Sequence, residues 1–272
     1  MKKLITLFLA LTTAIVASVG LTACGKDSTK VAVQKGTTSF MYAEVLKGTT
    51  TVSYDTFALA ATDMLNGNAD YVFVDKTTAK SLCNEINGTK YIDIALSSEN
   101  YGIAIDPAQT ELKAQIDNIL FEKADEIEAI KTKYMNGEKA KYVAVESGTK
   151  DVNKKDAQLV VATNAEFAPW EYKEGDKYYG IDMEIAQILA DELEMELVID
   201  DMDFDMVVGA VGKQGVDIAM SGITITAERL GVVNFSNPYY TEAIVVVCKA
   251  NDTSLDAVGT VVDLLTVICA GK

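Results

Sequence analysis

Leu159-Val160-Val161-Ala162 is an apolar, β-branched run that breaks into a loop from Thr163 to Trp170. Beyond the loop, Ile181, Ile185, Ile188, Leu189 and Leu193 recur at helical spacing on one face. Glu196 to Ile199 and Val216 to Met220 read as further strands, the second running into Ser221-Gly222-Ile223-Thr224. Strand and helix alternating in this rhythm define an α/β layer, in which ligands sit outside the carboxyl ends of the strands. Ile244 to Val247 is a β-branched strand that carries the chain out of this unit, and the tail from Asn251 to Lys272 has mixed character.

The same rhythm appears upstream. Val31 to Val33 begins a strand that enters a turn-like cluster, Gln34-Lys35-Gly36-Thr37-Thr38-Ser39, at a helix start. Phe57, Ala60, Ala61, Met64 and Leu65 form a helical stripe ending at Asn66-Gly67. Tyr71-Val72-Phe73-Val74 is a short buried strand that ends at Asp75. Tyr101 to Ile105 is another strand, followed by an amphipathic helical region with Leu112, Ile116, Ile119, Leu120, Ile127 and Ile130 on one side. From Gly137 to Gln158 the chain is polar and lysine-rich and reads as a linker, able to reach about 70 Å when extended.

Composition narrows the function. The chain has 272 residues, enough for two lobes, and 40 acidic against 24 basic residues give a formal net charge of -16. That field repels phosphate backbones, so nucleic acid is not an expected partner. The absence of histidine removes His-based triads, His zinc sites and imidazole bases. Cys83, Cys248 and Cys269 lack the paired close spacing of a metal knuckle, so neither a metal nor a cofactor is expected. Cys83 and Cys248 read as buried thiols, with a disulfide open as the alternative in an exported chain. Export is read from the first residues: Met1-Lys2-Lys3, an apolar run to about Val19, then Leu21-Thr22-Ala23-Cys24. This end resembles the bacterial lipobox, which implies lipidation at Cys24, a polar tether from Gly25 to Lys30, and a mature protein anchored outside the cell membrane.

The downstream half closely resembles the first lobe of the amino-acid-binding proteins of ABC transporters (solute-binding family 3, type II periplasmic-binding fold). The residues carrying the resemblance are Ala162 to Tyr172, Gly180-Ile181-Asp182-Met183, Val216 to Ala219, Ser221 to Arg229 and Phe235 to Tyr240. The upstream half resembles the second lobe, through Val31 to Thr38, Asn68 to Asp75, and Glu99 to Ala104, while Ile130 to Met135 resembles the usual C-terminal end. In the family the lobe that starts here at Leu159 comes first. The chain therefore reads as a circularly permuted, two-lobed α/β Venus-flytrap fold, with a rearranged gene joining two neighbours as the rival. The expected order is a signal peptide and lipobox (1–24), a second lobe (25–97, with 251–272 returning to it), a crossover with helices packing on the first lobe (98–136), a linker (137–158) and the first lobe (159–250).

A free amino acid presents a carboxylate, an ammonium and a side chain. Arg229 offers a planar fork for the carboxylate, five residues beyond Thr224, whose N–H and hydroxyl complete the cradle; the resemblance gives Arg229 this role. Asp75 can pair with the ammonium, as the matching aspartate does from the other lobe, or cap a helix. Thr38 and Ser39 can donate backbone N–H groups to the carboxylate, and Ser221 and Gly222 can accept from the ammonium. Phe167 and Phe204 match the aromatic positions that sandwich the ligand side chain, while Trp170 reads as structural. Asn164 and Glu166 sit on the loop that reads the distal side chain, and Gln34 on a second-lobe position that varies with ligand.

The implied mechanism is hinged closure of a monomer around a polar or basic amino acid, with crossings near Ser97 to Tyr101 and Ile244 to Ala250, followed by docking on a permease. No catalytic residue is needed. The alternatives are an enzyme of the same fold, such as a dehydratase of a cyclic acid with Glu166 as its acid or base, and an amino-acid sensing module.

Overall fold

The computed structural model describes residues 28–151, 153–154 and 157–271. The expected signal peptide and the expected lipidation site, Cys24, lie outside the described residues. No helix among the described residues is long and apolar enough to cross a membrane.

The described residues form two compact units, one from those up to Ser97 together with those from Ile244, the other from those between Ser98 and Ala243. In chain order the first unit contributes β1 (Thr29–Gln34), α1 (Thr38–Glu44), β2 (Thr49–Tyr54), α2 (Phe57–Leu65), β3 (Tyr71–Asp75), α3 (Lys76–Glu85) and β4 (Thr89–Ile92). The second unit holds β5 (Glu99–Tyr101), β6 (Ala104–Ile105), α4 (Thr110–Glu122), α5 (Ala124–Met135), β7 (Gln158–Thr163), β8 (Glu166–Phe167), β9 (Glu171–Glu174) and β10 (Lys177–Tyr179). It continues through α6 (Ile181–Glu192), β11 (Glu196–Asp201), α7 (Phe204–Ala210), β12 (Ile218–Ala219), β13 (Asn234–Phe235) and β14 (Tyr240–Glu242). The chain then returns to the first unit as β15 (Ile244–Lys249) and α8 (Val261–Cys269).

The two main sheets share one plan. The first runs β2-β1-β3-β15-β4 and the second β11-β7-β12-β6-β13. In each, three parallel strands are followed by an antiparallel strand supplied just after the chain has crossed from the other unit: β15 against β3 and β4, β6 against β12 and β13. This mixed α/β plan with two crossings is the two-lobed type II periplasmic-binding fold. Its consequence is positional. β1 and β3 are parallel neighbours, so the loops after Gln34 and Asp75 leave the same sheet edge. β7 and β12 are likewise parallel neighbours, so the loops after Thr163 and Ala219 share an edge.

Two expected boundaries shift. β15 belongs wholly to the first unit, because its apolar face packs with Val31, Val33, Phe73 and Leu264 in that unit's core; the division falls after Ala243 and not at 250. Within the stretch 137–158, expected as a linker, residues 145–150 lie along the second unit as a strap. Val145 bridges Tyr178, Gly148 N–H donates to Leu197 O, and Ser147 Oγ accepts from Ile199 N–H. Lys150 helped to disguise this, since its Nζ binds Asp200 Oδ2 at 2.7 Å. Cys248 and Cys269 are buried, Cys83 is half-buried, and all three are free thiols.

Trp170 is the hub of the second unit. It is fully buried, with ring centroids of Tyr101 and Tyr240 at 4.9 and 4.7 Å in edge-on contact. Its carbonyl and that of Pro169 accept the first N–H groups of α6, from Asp182 and Ile181, so the orphan donors of that helix end are satisfied by the loop. Gly180 makes this approach possible: its φ is 126°, and a Cβ there would lie 2.1 Å from the Trp170 carbonyl oxygen. Gly180→Ala is expected to lower the urea midpoint, with a loss of about 1–3 kcal/mol for the backbone alone and more for the clash. An unchanged midpoint would show that the loop is not held in this way.

Candidate functional site

The residues after Ala219 are held by a short ladder. Gly102 N–H donates to Ile223 O at 3.0 Å and Ile225 N–H donates to Asn100 O at 2.8 Å, placing Thr224 opposite Tyr101. The other edge of β5 pairs with β14, so the crossing strand is flanked on both sides. Thr224 is the non-hydrogen-bonded member of its ladder, so its own N–H and C=O point away from β5. On that outer side the Thr224 carbonyl accepts from Arg229 Nη1 at 2.8 Å. Arg229 itself is buried, begins a short 3-10 turn, and donates its N–H to Thr226 Oγ1. The guanidinium lies 5.7 Å from the centroid of the Phe204 ring, at the start of α7. Thr224 N–H and the Arg229 fork thus face a common side, which suits a carboxylate.

The Thr224 hydroxyl departs from expectation. It donates to Glu99 Oε2 at 2.7 Å, so it is committed to the crossing strand and does not donate to a carboxylate. Ser221 is committed inward too: its hydroxyl donates to Glu171 Oε1 at 2.7 Å and accepts from Asn164 N–H. Only the carbonyls at this position remain suited to an ammonium. Asn164 holds the loop together through Nδ2 to Met202 O, and is buried, whereas Glu166 is exposed. Phe167 packs on Gly222, whose φ is 52° and where a Cβ would meet Phe167 Cε1 at 2.7 Å.

In the first unit, Gln34 Nε2 donates to Asp55 O at 2.8 Å, pinning the end of β1 to the loop after β2. The helix start is capped by Thr37, whose Oγ1 accepts from Phe40 N–H; Thr38 and Ser39 form the first turn. Asp75 ends β3 and occupies the N-cap position of α3, but its carboxylate makes no capping bond there. That leaves the capping reading of Asp75 unsupported.

Sequence reasoning gave no role to Glu99, Glu171, Asp182 or Tyr239. Glu171 and Asp182 are fully buried beneath Ser221 and Gly222. Gly222 N–H donates to Asp182 Oδ2 at 2.9 Å, and Tyr239 Oη donates to Asp182 Oδ1 at 2.8 Å. Burial pushes the Asp182 carboxyl up to about 7, against the lowering effect of those two donors. Burial and the neighbouring carboxylate push the Tyr239 phenol well up. The signal available in the sequence was an acidic residue beside Ile181 and Met183 in an otherwise apolar stripe.

Residues 159–263 match the family model of bacterial extracellular solute-binding proteins, family 3. The chain is similar to the arginine-binding extracellular protein ArtP of Bacillus subtilis, 41% identical over 103 residues, which are 38% of this chain and 39% of that one. It is also similar to a cyclohexadienyl dehydratase of Pseudomonas aeruginosa, 38% identical over 82 residues, covering 30% of this chain and 31% of the relative. Among solved structures, an ancestral cationic amino acid solute-binding protein is 37% identical over 32% of this chain and 38% of its own, with a TM-score of 0.31. The chain spans about two fifths of the length of the arginine-binding relative.

The Thr224–Glu99 bond is testable on stability. Thr224→Val keeps the shape and removes the donor to a buried carboxylate, an expected loss of about 1–3 kcal/mol in urea unfolding. Thr224→Ser retains the hydroxyl and is expected to lose clearly less. A loss in Thr224→Ser with little or none in Thr224→Val would mean that packing of the methyl group, not the hydrogen bond, matters.

Proposed function

We propose that this chain is an extracytoplasmic substrate-binding lipoprotein that captures a polar or basic amino acid and delivers it to an ABC importer. The observation that carries the reading is the buried Arg229 guanidinium, fixed by the Thr224 carbonyl and sharing a side with the Thr224 N–H. The ligand carboxylate takes this fork, its ammonium takes the Ser221 and Gly222 carbonyls, with Asp75 a further ligand residue in this reading, and Phe167 and Phe204 bracket its side chain. Gln34, Thr38 and Ser39 complete the first unit's share, with Asn164 and Glu166 shaping the far end. The chain works as a monomer, and the crossings at 97–98 and 243–244 serve as the hinge.

Arginine-binding and cationic amino-acid-binding proteins stand among the similar proteins, which supports a basic ligand. Cys24 carries the lipid anchor in this reading. A circularly permuted order is supported by the position of the family match, which begins at 159 although its partner unit is built largely from residues before 97. It is also supported by Thr29, Val267 and Gly271 lining one cavity, the adjacency a permutant needs between the segments it separates. The dehydratase relative raises an enzymatic reading, but Glu166, the acid it would use, is exposed to water.

Thermal unfolding of residues 25–272 against the common amino acids and ornithine tests the proposal. A ligand at roughly a hundredfold excess over its Kd adds about 2.7 kcal/mol to the folded state, and a basic amino acid is expected to give the largest rise in Tm. Arg229→Ala and Asp75→Ala are each expected to abolish it. A cooperative melt that no amino acid shifts would reject the reading.

A further inference from the structure

Two carboxylates lie directly behind the backbone that the proposed ligand ammonium uses. Asp182, at the start of α6, accepts from the Gly222 amide; Glu171, on β9, accepts from the Ser221 hydroxyl. Both side chains have no solvent exposure. Two anions so placed cannot both shed their solvation shells cheaply, and one is expected to hold a proton in the neutral range. The groups facing Asp182 are few. Tyr239 reaches both carboxylate oxygens, at 2.8 and 3.0 Å, and the Glu171 charge acts on that same phenol. From α5, Lys131 Nζ donates to Tyr239 O at 3.2 Å and stands 6.0 Å from the Tyr240 ring centroid. The nearby acid Glu184 is occupied by Lys133 and Tyr134.

We propose that Asp182 is a proton-dependent positioning residue of the amino-acid site, holding the Gly222 amide and setting the charge behind the Ser221–Gly222 carbonyls. Both protonation states are satisfied by the same atoms. Ionised, Asp182 accepts from Gly222 N–H at Oδ2 and from the Tyr239 hydroxyl at Oδ1. Protonated at Oδ1, it donates to Tyr239 Oη while Oδ2 still accepts from Gly222. The phenol oxygen then accepts from Oδ1–H, and its own hydrogen has Oδ2 within reach at 3.0 Å, so no donor is orphaned. The ionised form places a negative charge behind a bound ammonium, so ligand binding favours loss of the proton and, by reciprocity, loss of the proton favours binding.

The inference rests on the proposed amino-acid site for its effect on affinity, but the proton itself is read without ligand. A carboxyl whose folded value lies above its unfolded value binds more protons in the folded state between the two. Its contribution to stability is therefore full below about pH 4 and lost as pH rises through about 7. Wild type, without ligand, is expected to lose Tm across this window relative to Asp182→Asn, which keeps an acceptor for Gly222 and cannot titrate. In NMR spectra of isotope-labelled ligand-free protein, the Gly222 amide is expected to move with a midpoint near neutrality, and to stay still in Asp182→Asn. Tyr239→Phe, which removes a donor to the anion but keeps the ring, is expected to shift that midpoint upward. It serves as the second variant should Asp182→Asn fail to fold.

With L-arginine as probe, wild-type affinity is expected to rise roughly threefold to tenfold between about pH 6 and about pH 8, and to flatten in Asp182→Asn. A Gly222 amide that does not titrate, or the same pH–Tm profile in wild type and Asp182→Asn, would overturn the proposal. Absence of arginine binding at every pH, with the amide still titrating, would instead count against the proposed ligand and leave the proton switch standing.

Discussion

The pairing of Thr224 with Tyr101 is the constraint on which the candidate site depends. It is a ladder of two flanking backbone bonds, yet it fixes three things at once. It turns the Thr224 carbonyl and amide outward toward Arg229, and it brings the Thr224 hydroxyl onto Glu99 of the crossing strand. It also lays the Tyr101 ring against Trp170 and behind Gly222. A lone surface arginine spends about 2 kcal/mol of rotamer entropy when it is fixed. Here Arg229 is fixed before any ligand arrives, by a carbonyl on one side and the Phe204 face on the other. Preorganisation of this kind favours binding by reducing what must be ordered on association.

A second layer supports the first. Trp170, Tyr101, Tyr239 and Tyr240 form a contiguous aromatic cluster, and the buried acids Glu171 and Asp182 sit against it with their hydrogen bonds aimed at Ser221 and Gly222. Buried acids are costly unless satisfied, so their presence beneath a binding surface makes the position of that surface sensitive to a single proton. The polar strap around residues 145–150 has a different task. By adding edge contacts along β11 and β10, it covers the outer strands of the second unit.

Much of the fold was legible because it is written in local periodicity. The apolar run at Leu159 to Ala162 is β7, the stripe from Ile181 to Leu189 is α6, and Tyr71 to Asp75 is β3, all at or near their expected limits. Where tertiary contacts decide, the sequence was a poorer guide. β15 reads as an ordinary apolar strand, and nothing local says which sheet it joins. The strap reads as solvent-exposed because its charges find partners far along the chain, Lys150 on Asp200 and Glu146 on Lys177. At the site, residue identities were legible for Arg229 and Thr224, but not the direction of each hydroxyl. Thr224 and Ser221 turn theirs inward because Glu99 and Glu171, distant in sequence, need donors.

The central claim is that one α-amino acid is held by its carboxylate and its ammonium at once. Calorimetric titration of the soluble chain with L-arginine, with agmatine, which lacks the carboxylate, and with the analogue lacking the α-amino group tests it most directly. One-to-one binding of L-arginine is expected, with loss of most affinity for each truncated ligand, since a buried fork or a set of carbonyls is then left without its partner. Agmatine binding as tightly as L-arginine would contradict it, because Arg229 would then have no carboxylate to hold.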